Sequence, residues 1–384
     1  MKVDSVTIQN IGGIKDLNVS FNDKLNMICG MNGVGKSTIL ECIVHAFSFS
    51  SSGKLKRNAR TDKGIWKVNI DGRESVFDTN SFSPSDSNKN YSLLFHEKVL
   101  KVIYIKDQRH FEYQKIDGIR ADEERNINNY QQYVVNGMSP HSIKTWFSNR
   151  VLFEPQGNLS EAELFNLVLA KKCFSLLDPS VTYSHIDHST LDTMVDTSRG
   201  RIYFEYLSSG FKSTLFILLG LIKEIEFNMT PKVKVSDFDG IILIDEADAH
   251  LHPYWQGPFV DALRTTFTNA QIIITTHSPH MIQEANSEEL IALGIDEEGE
   301  VIELDLFKSE YGFKGWTVEE ILEDVMGLKE TRSNKYIEIK NKFEHALDNE
   351  DVEQARELFD VLNKMLHPRS PMRKVYELQL GSLG

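Results

Sequence analysis

Three short runs of aliphatic side chains mark this chain, and each ends in polar residues of a different kind. Leu25-Asn26-Met27-Ile28-Cys29 leads into a glycine-rich loop. Ile241-Ile242-Leu243-Ile244 ends in Asp245-Glu246, and Ile272-Ile273-Ile274 ends in Thr275-Thr276-His277. Near-continuous apolar runs of this length, bounded by polar residues, read as strands buried on both faces. Val102–Ile105 reads the same way, and Leu290–Leu293 and Val301–Asp305 read as strands joined by an acidic turn, Gly294–Glu300. Gly64–Ile70 and Arg73–Asp78 form a hairpin pattern with Asp71-Gly72 as its turn. A helical period follows the first glycine-rich loop, with Ile39, Leu40, Ile43, Val44 and Phe47 on one face. Helices are also predicted after Leu207–Ser213 to about Ile225, over Pro140–Arg150, and over Glu161–Leu177 with Ser160 as cap. Residues 80–90 read as loop, and the rest of 120–206 carries no clear period. The last 70 or so residues are charged and helical. Thr317 caps Val318–Met326, which Gly327 closes, and Lys335–Ala346, Asp351–Met365 and Met372–Leu380 follow. Leu358, Val361, Leu362 and Met365 give one of these helices an apolar face.

The loop after the first apolar run adds chemistry to the pattern. Residues 30–38 read Gly-Met-Asn-Gly-Val-Gly-Lys-Ser-Thr, a complete P-loop placed between a strand and a helix. Gly30, Gly33 and Gly35 let the backbone curl so that its N–H groups, with those of Asn32 and Thr38, face phosphates at a helix N-terminus. Lys36 would reach the β- and γ-phosphates of ATP, and the Ser37 hydroxyl would ligate Mg²⁺. Asp245 stands where a carboxylate can hold that Mg²⁺, which prefers oxygen ligands. Glu246 is the candidate to orient or deprotonate the attacking water. The structural alternative for Asp245-Glu246 is an exposed loop pair, and four branched apolar residues before it argue against that. His250, His252 and His280 make no convincing zinc set with Cys29, Cys42 or Cys173.

Leu207-Ser208-Ser209-Gly210 lies between the P-loop and Asp245-Glu246, and Thr276-His277-Ser278-Pro279 comes last. The order P-loop, Leu-Ser-Ser-Gly, Asp-Glu, Thr-His-Ser-Pro resembles the ABC-type ATPases. Within them it is most similar to the SMC, RecF and overcoming-lysogenisation branch. The opening Val6–Ile14 and Leu17–Phe21 and the stretch Asp245–Pro253 carry that likeness, which covers roughly residues 1–300. The resemblance implies an α/β P-loop NTPase of ABC type, with a mixed central sheet, a helical signature lobe and a helical C-terminal tail. It places the core lobe at 1–118 and 230–310, the signature lobe at 119–229, and a partner-docking or oligomerisation tail at 311–384. It also implies hydrolysis of ATP to ADP and phosphate by a head-to-tail homodimer, with higher oligomers admitted. Ser208 and Gly210 of one protomer would face the γ-phosphate held by the other, and Asp248 falls in a loop that touches the opposite subunit. His277 corresponds to the switch histidine at the γ-phosphate. Gln108, with Gln114 as the alternative, corresponds to the glutamine that joins the Mg²⁺ shell, and Arg109 could pair with phosphate or a carboxylate. Two positions depart from the common pattern: Ser209 replaces a glycine, and Phe211 stands where glutamine or glutamate is usual.

Long coiled-coil arms are not expected, because fewer than 100 residues separate Arg109 from Leu207 without sustained heptads. The tail is too short for the TOPRIM nuclease of the overcoming-lysogenisation proteins and lacks its carboxylate set, so any nuclease is expected on a separate chain. A short-armed, nuclease-free ATPase of this branch resembles the ATPase subunits of anti-phage defence systems of the Septu or retron-associated kind. The rivals are a RecF-like repair or replication ATPase that binds DNA directly, and a nucleotide-gated scaffold with very slow hydrolysis.

Composition narrows the setting. The chain has 384 residues, 41% of them hydrophobic, enough for two or three compact units. Its longest apolar run, Leu215–Ile222, is too short to span a bilayer, no signal-peptide core follows Met1, and three spread cysteines suit a reducing cytoplasm. The formal charge of −14 argues against coating by nucleic acid. A local cluster of Lys54, Lys56, Arg57, Arg60, Lys63 and Lys67 leaves nucleic acid or an acidic partner open, against the plainer reading of a solvated loop.

Overall fold

The computed structural model describes residues 1–48, 54–86, 94–106, 140–382 and, between these last two stretches, residues 115, 116, 118, 122, 125–127, 130, 134 and 138. The chain divides into two compact units, Met1–Gly327 and Leu328–Gly384.

The larger unit is organised around a mixed sheet of six strands in the order β13-β12-β3-β11-β10-β6. These are β13 (Val301–Glu303), β12 (Leu290–Ile295), β3 (Leu25–Gly30), β11 (Gln271–Thr275), β10 (Ile241–Ile244) and β6 (Val102–Ile105). All neighbours run parallel except β13, which pairs antiparallel with β12 across the acidic turn. Burial on both faces explains the aliphatic runs. Ile242 and Ile244 point into one core, where they meet Leu215, Leu218 and Ile222 of the long helix Ser209–Asn228. Ile241 and Leu243 point into a second core, formed with helix α1 (Lys36–Phe47) and a four-stranded antiparallel sheet. That sheet has the order β2-β1-β4-β5, comprising β1 (Val3–Ile11), β2 (Ile14–Ser20), β4 (Gly64–Ile70) and β5 (Arg73–Thr79). Its β4–β5 turn puts Asp71 and Gly72 at φ of 50° and 71°, as a tight hairpin requires.

The stretch 119–229, read from the sequence as a signature lobe, contains the expected helices among its described residues, Pro140–Phe153 and Glu161–Leu177, the second closed at its start by a Ser160–Glu163 capping box. It is not wholly helical. Strands β7 (Thr182–Ile186), β8 (Thr193–Thr197) and β9 (Gly200–Tyr203) form a small antiparallel sheet that the sequence reading left without elements. These strands are short and half-exposed, so they lack the apolar runs that reveal the central strands.

The smaller unit is three helices, Asn334–Asp348, Val352–Met365 and Met372–Gly381. Ser333 and Asp351 cap the first two. Phe343, Ala355 and Leu362 are fully buried between them, and the Tyr336 and Tyr376 hydroxyls bond each other at 2.7 Å. The apolar face expected on the middle helix is divided: Leu362 is core, whereas Val361 and Met365 are each 40% exposed. The unit begins later than the residue-311 boundary read from the sequence. Phe313, Ile321 and Val325 belong to the core of the larger unit, so 311–327 is not tail. Thr317 does cap a helical turn, but the segment continues as a π-type turn, Ile321–Val325, before Gly327 ends it at φ 71°.

Candidate nucleotide-binding site

The P-loop follows from where β3 ends. Gly30 has φ 134°, and a Cβ there would lie 2.2 Å from the Leu293 carbonyl oxygen of the neighbouring strand. Gly33 and Gly35 take left-handed φ values of 85° and 95°, which residues with a Cβ adopt rarely. Asn32, Gly33 and Ser37 are exposed at the rim and Thr38 is half-buried, while Lys36 is buried. The Lys36 ammonium donates to the Gly30 and Met31 carbonyls at 2.9 Å each. Burial pushes it below the ordinary lysine value, opposed by the nearby Glu246, Asp245 and Asp248 carboxylates.

Parallel pairing of β10 between β11 and β6 brings Asp245 to the loop. The Ser37 hydroxyl donates to Asp245 Oδ1 at 2.9 Å, across 208 residues of chain. Asp245 is 4% exposed, so a buried carboxylate and a hydroxyl converge where a phosphate-bound cation would sit. Hard oxygen donors of this kind fit Mg²⁺. Glu246 is exposed and turns with φ 47°, an unusual conformation for a residue with a Cβ. Asp248 Oδ1 accepts from the Thr276 hydroxyl at 2.7 Å and from the His277 amide at 3.0 Å, tying that loop to the end of β11. Burial and the Lys36 charge hold the His277 imidazole below the usual histidine value, so it is neutral at pH 7. Gln108, Arg109 and Gln114 lie outside the described residues.

Ser208 caps the signature helix by accepting from the Phe211 amide at 3.3 Å. Gly210 packs so closely on the turn after Asp248 that a Cβ would lie 2.5 Å from the His250 carbonyl oxygen. Phe211 is 2% exposed and stacks edge-on against Trp255 at 5.4 Å, anchoring the helix start in the core. Among the described residues no hydrogen bond joins Ser208–Gly210 to the P-loop of the same chain.

Two features escaped the sequence reading. Thr275 was quoted only as part of a motif, yet its hydroxyl bonds both Asp245 and Glu246. A cavity of about 410 Å³ lies beside the P-loop, lined by Asn10, Gly13, Asn58 and Arg60 among others, with the Cβ position of Gly13 3.8 Å from the Gly33 carbonyl. Arg60 comes from the basic cluster, whose other members are largely engaged within the fold. Lys54 pairs with Glu41, Lys63 with Asp78 and Lys67 with Glu74, while Arg57 donates to the Asn58, Thr61 and Asn80 carbonyls.

This geometry agrees with the comparisons to known proteins. A family model described as "AAA domain" matches residues 5–206, and one described as "AAA ATPase domain" matches residues 149–282. The "Septu protein PtuA" of Bacillus thuringiensis is 45% identical over 389 aligned positions, covering 100% of this chain and 98% of that protein. The chain belongs to the Septu PtuA family of AAA ATPases. A more distant relative is the Escherichia coli protein named "Retron Ec83 probable ATPase", 28% identical over 196 residues, which cover 50% of this chain and 34% of that protein. Among solved structures, an SMC head bound to the C-winged helix domain of ScpA superposes with a TM-score of 0.45 at 14% identity, over 80% of this chain and 98% of that one. In this Septu PtuA family member the P-loop, the Asp245-Glu246 pair and His277 follow the C-terminal ends of β3, β10 and β11, three adjacent inner strands of the six-stranded sheet.

Proposed function

We propose that the protein is an Mg²⁺-dependent ATPase of an anti-phage defence complex, in which a head-to-tail dimer controls a separate effector, a nuclease. The observation that carries the ATPase reading is the meeting of Ser37 with Asp245 at the mouth of a complete P-loop, with Lys36, Glu246 and His277 around it. Ser37 and Asp245 would hold Mg²⁺, which supplies charge stabilisation at the phosphates when bound. The P-loop amides and Lys36 hold the β- and γ-phosphates, and the 410 Å³ cavity at Gly13, Asn58 and Arg60 is the place for the nucleoside end. Glu246 accepts a proton from, or orients, the attacking water, and neutral His277 offers a hydrogen bond to the γ-phosphate.

The dimer is supported by the position of Ser208 and Gly210 at the start of a helix, where, among the described residues, no hydrogen bond joins them to the P-loop of the same chain. The Septu and retron names of the relatives support the defence role, and the three-helix unit Leu328–Gly384 supplies a separate module for docking the effector or joining dimers. Direct DNA binding draws less support, because the cations that would carry it are mostly paired within the fold. Among the described residues no helix is long and apolar enough to cross a membrane.

The test is ATP turnover by the purified chain with and without Mg²⁺, beside Lys36→Ala. Turnover that needs neither Mg²⁺ nor Lys36 would end the reading. Co-purification with a nuclease expressed from the same locus tests the effector, and DNA binding by the chain alone would favour the repair alternative.

A further inference from the structure

Thr275 is the last residue of β11 and is 1% exposed. Its surroundings account for every hydrogen-bonding group it has on that side. The hydroxyl donates to Asp245 Oδ1 at 2.7 Å and accepts from the Glu246 amide at 2.7 Å. The carbonyl accepts from the Ala247 amide at 2.8 Å. One residue therefore grips three consecutive residues of the neighbouring turn.

The register explains how. Ile244 lies opposite Ile274 in the parallel pair, so Thr275 and Asp245 are the first residues past the end of the ladder. Beyond that point β10 turns, and Glu246 takes its φ of 47°. A non-glycine residue stays in that sparsely populated region only when its neighbours over-determine it. Here the Thr275 hydroxyl and carbonyl do so from one side, and the Ala249 amide, donating to the Glu246 carbonyl at 2.8 Å, does so from within the turn. Asp245 Oδ1 receives two hydroxyl donors, Ser37 at 2.9 Å and Thr275 at 2.7 Å, which set the plane of the carboxylate against the P-loop. A valine would fill the same volume and keep the strand. What the hydroxyl adds is this pair of bonds.

We propose that Thr275 is a positioning residue for ATP hydrolysis, locking the cation-holding Asp245 and the water-orienting Glu246 into one rigid arrangement through a single hydroxyl. The proposal rests on the reading of those two carboxylates given above, and Thr275 acts through them without touching nucleotide.

The experiment compares Thr275→Val and Thr275→Ser with the wild type in the full chain. The valine variant should lose about 10- to 100-fold in kcat, the range for removing a group that orients a ligand carboxylate, with KM for ATP unchanged. Serine restores the hydroxyl and should recover most of kcat. Independently of turnover, hydrogen exchange at the Glu246 and Ala247 amides should speed up in the valine variant and return to normal in the serine variant. In a Glu246→Gln background, adding Thr275→Val should cost little more, because the two act as a unit. Wild-type kcat and exchange in the valine variant, with Glu246→Gln inactive, would overturn the role of Thr275 alone. An active Glu246→Gln variant would overturn the underlying reading instead. Should Thr275→Val not fold, Thr275→Ala beside Thr275→Ser carries the same comparison.

Discussion

The P-loop helix carries a histidine that should make the stability of the larger unit depend on pH in a calculable way. His45, in the last turn of α1, is 1% exposed, and among the described residues neither ring nitrogen has a hydrogen-bond partner. The ring meets the stacked pair of Trp66 and Phe77 edge-on, at 5.1 Å and 5.0 Å. A helix C-terminus favours a cationic ring, but the apolar surroundings win, and burial lowers the His45 pKa from 6.5 to about 4. Between those two pH values the unfolded chain binds a proton that the folded chain does not. Stability is therefore fully present above pH 6.5 and falls as pH drops towards 4, by about 1.4 kcal/mol per pH unit and ~3 kcal/mol in all. The perturbation is His45→Phe, which keeps an aromatic ring and removes the titrating group. The offset at pH 7.5 has no fixed sign. Deleting two unsatisfied nitrogens gains ~1–3 kcal/mol, and the larger ring in a packed site costs a similar amount. The slope carries the argument. Urea unfolding of both proteins from pH 7.5 to 4.5 should give a stability difference that is flat above pH 7 and then shifts in favour of the variant at lower pH. Carboxylates titrate in the same range, but they cancel in the difference. A difference independent of pH would show that His45 is not the buried neutral group described.

Three further outcomes are expected. Glu246→Gln should slow hydrolysis while keeping the Lys36 and Asp245 contacts, so that ATP accumulates a closed dimer detectable by light scattering; normal turnover would remove Glu246 from its assigned place. Ser208→Arg should abolish hydrolysis with ATP affinity retained, and mixing it with Lys36→Ala should restore one composite site per heterodimer. No recovery at any mixing ratio counts against the head-to-tail arrangement. Truncation after Gly327 should leave a folded ATPase, because the core residues Phe313, Ile321 and Val325 remain, yet lose the effector in pull-downs; a truncated chain that keeps its partner moves the docking surface elsewhere.

The elements that position the site were legible from residue order alone. Long aliphatic runs announce strands buried on both faces, and the P-loop, Asp245-Glu246 and His277 each stand at the end of such a run. Capping residues were equally readable: Ser160 and Thr317 both cap helices where a short polar side chain precedes a helical period. What stayed hidden depends on partners far away in the chain. Nothing in Thr275-Thr276 says that one threonine would hold Asp245 and Glu246 and the next Asp248, because that follows from β10 and β11 lying side by side. The basic residues after α1 looked like a patch until β4 and β5 set Lys63 and Lys67 against Asp78 and Glu74. Phe211 looked like a flaw in the signature and became its anchor once Trp255 packed against it. The small sheet β7–β9 was missed because short, half-exposed strands leave no aliphatic run, and the boundary at Gly327 because a helical turn legible in the sequence does not say which core its apolar residues join. Local sequence determines backbone shape and side-chain chemistry through short-range sterics and capping. Which groups meet, and which charges cancel, was decided by strand order and packing across hundreds of residues.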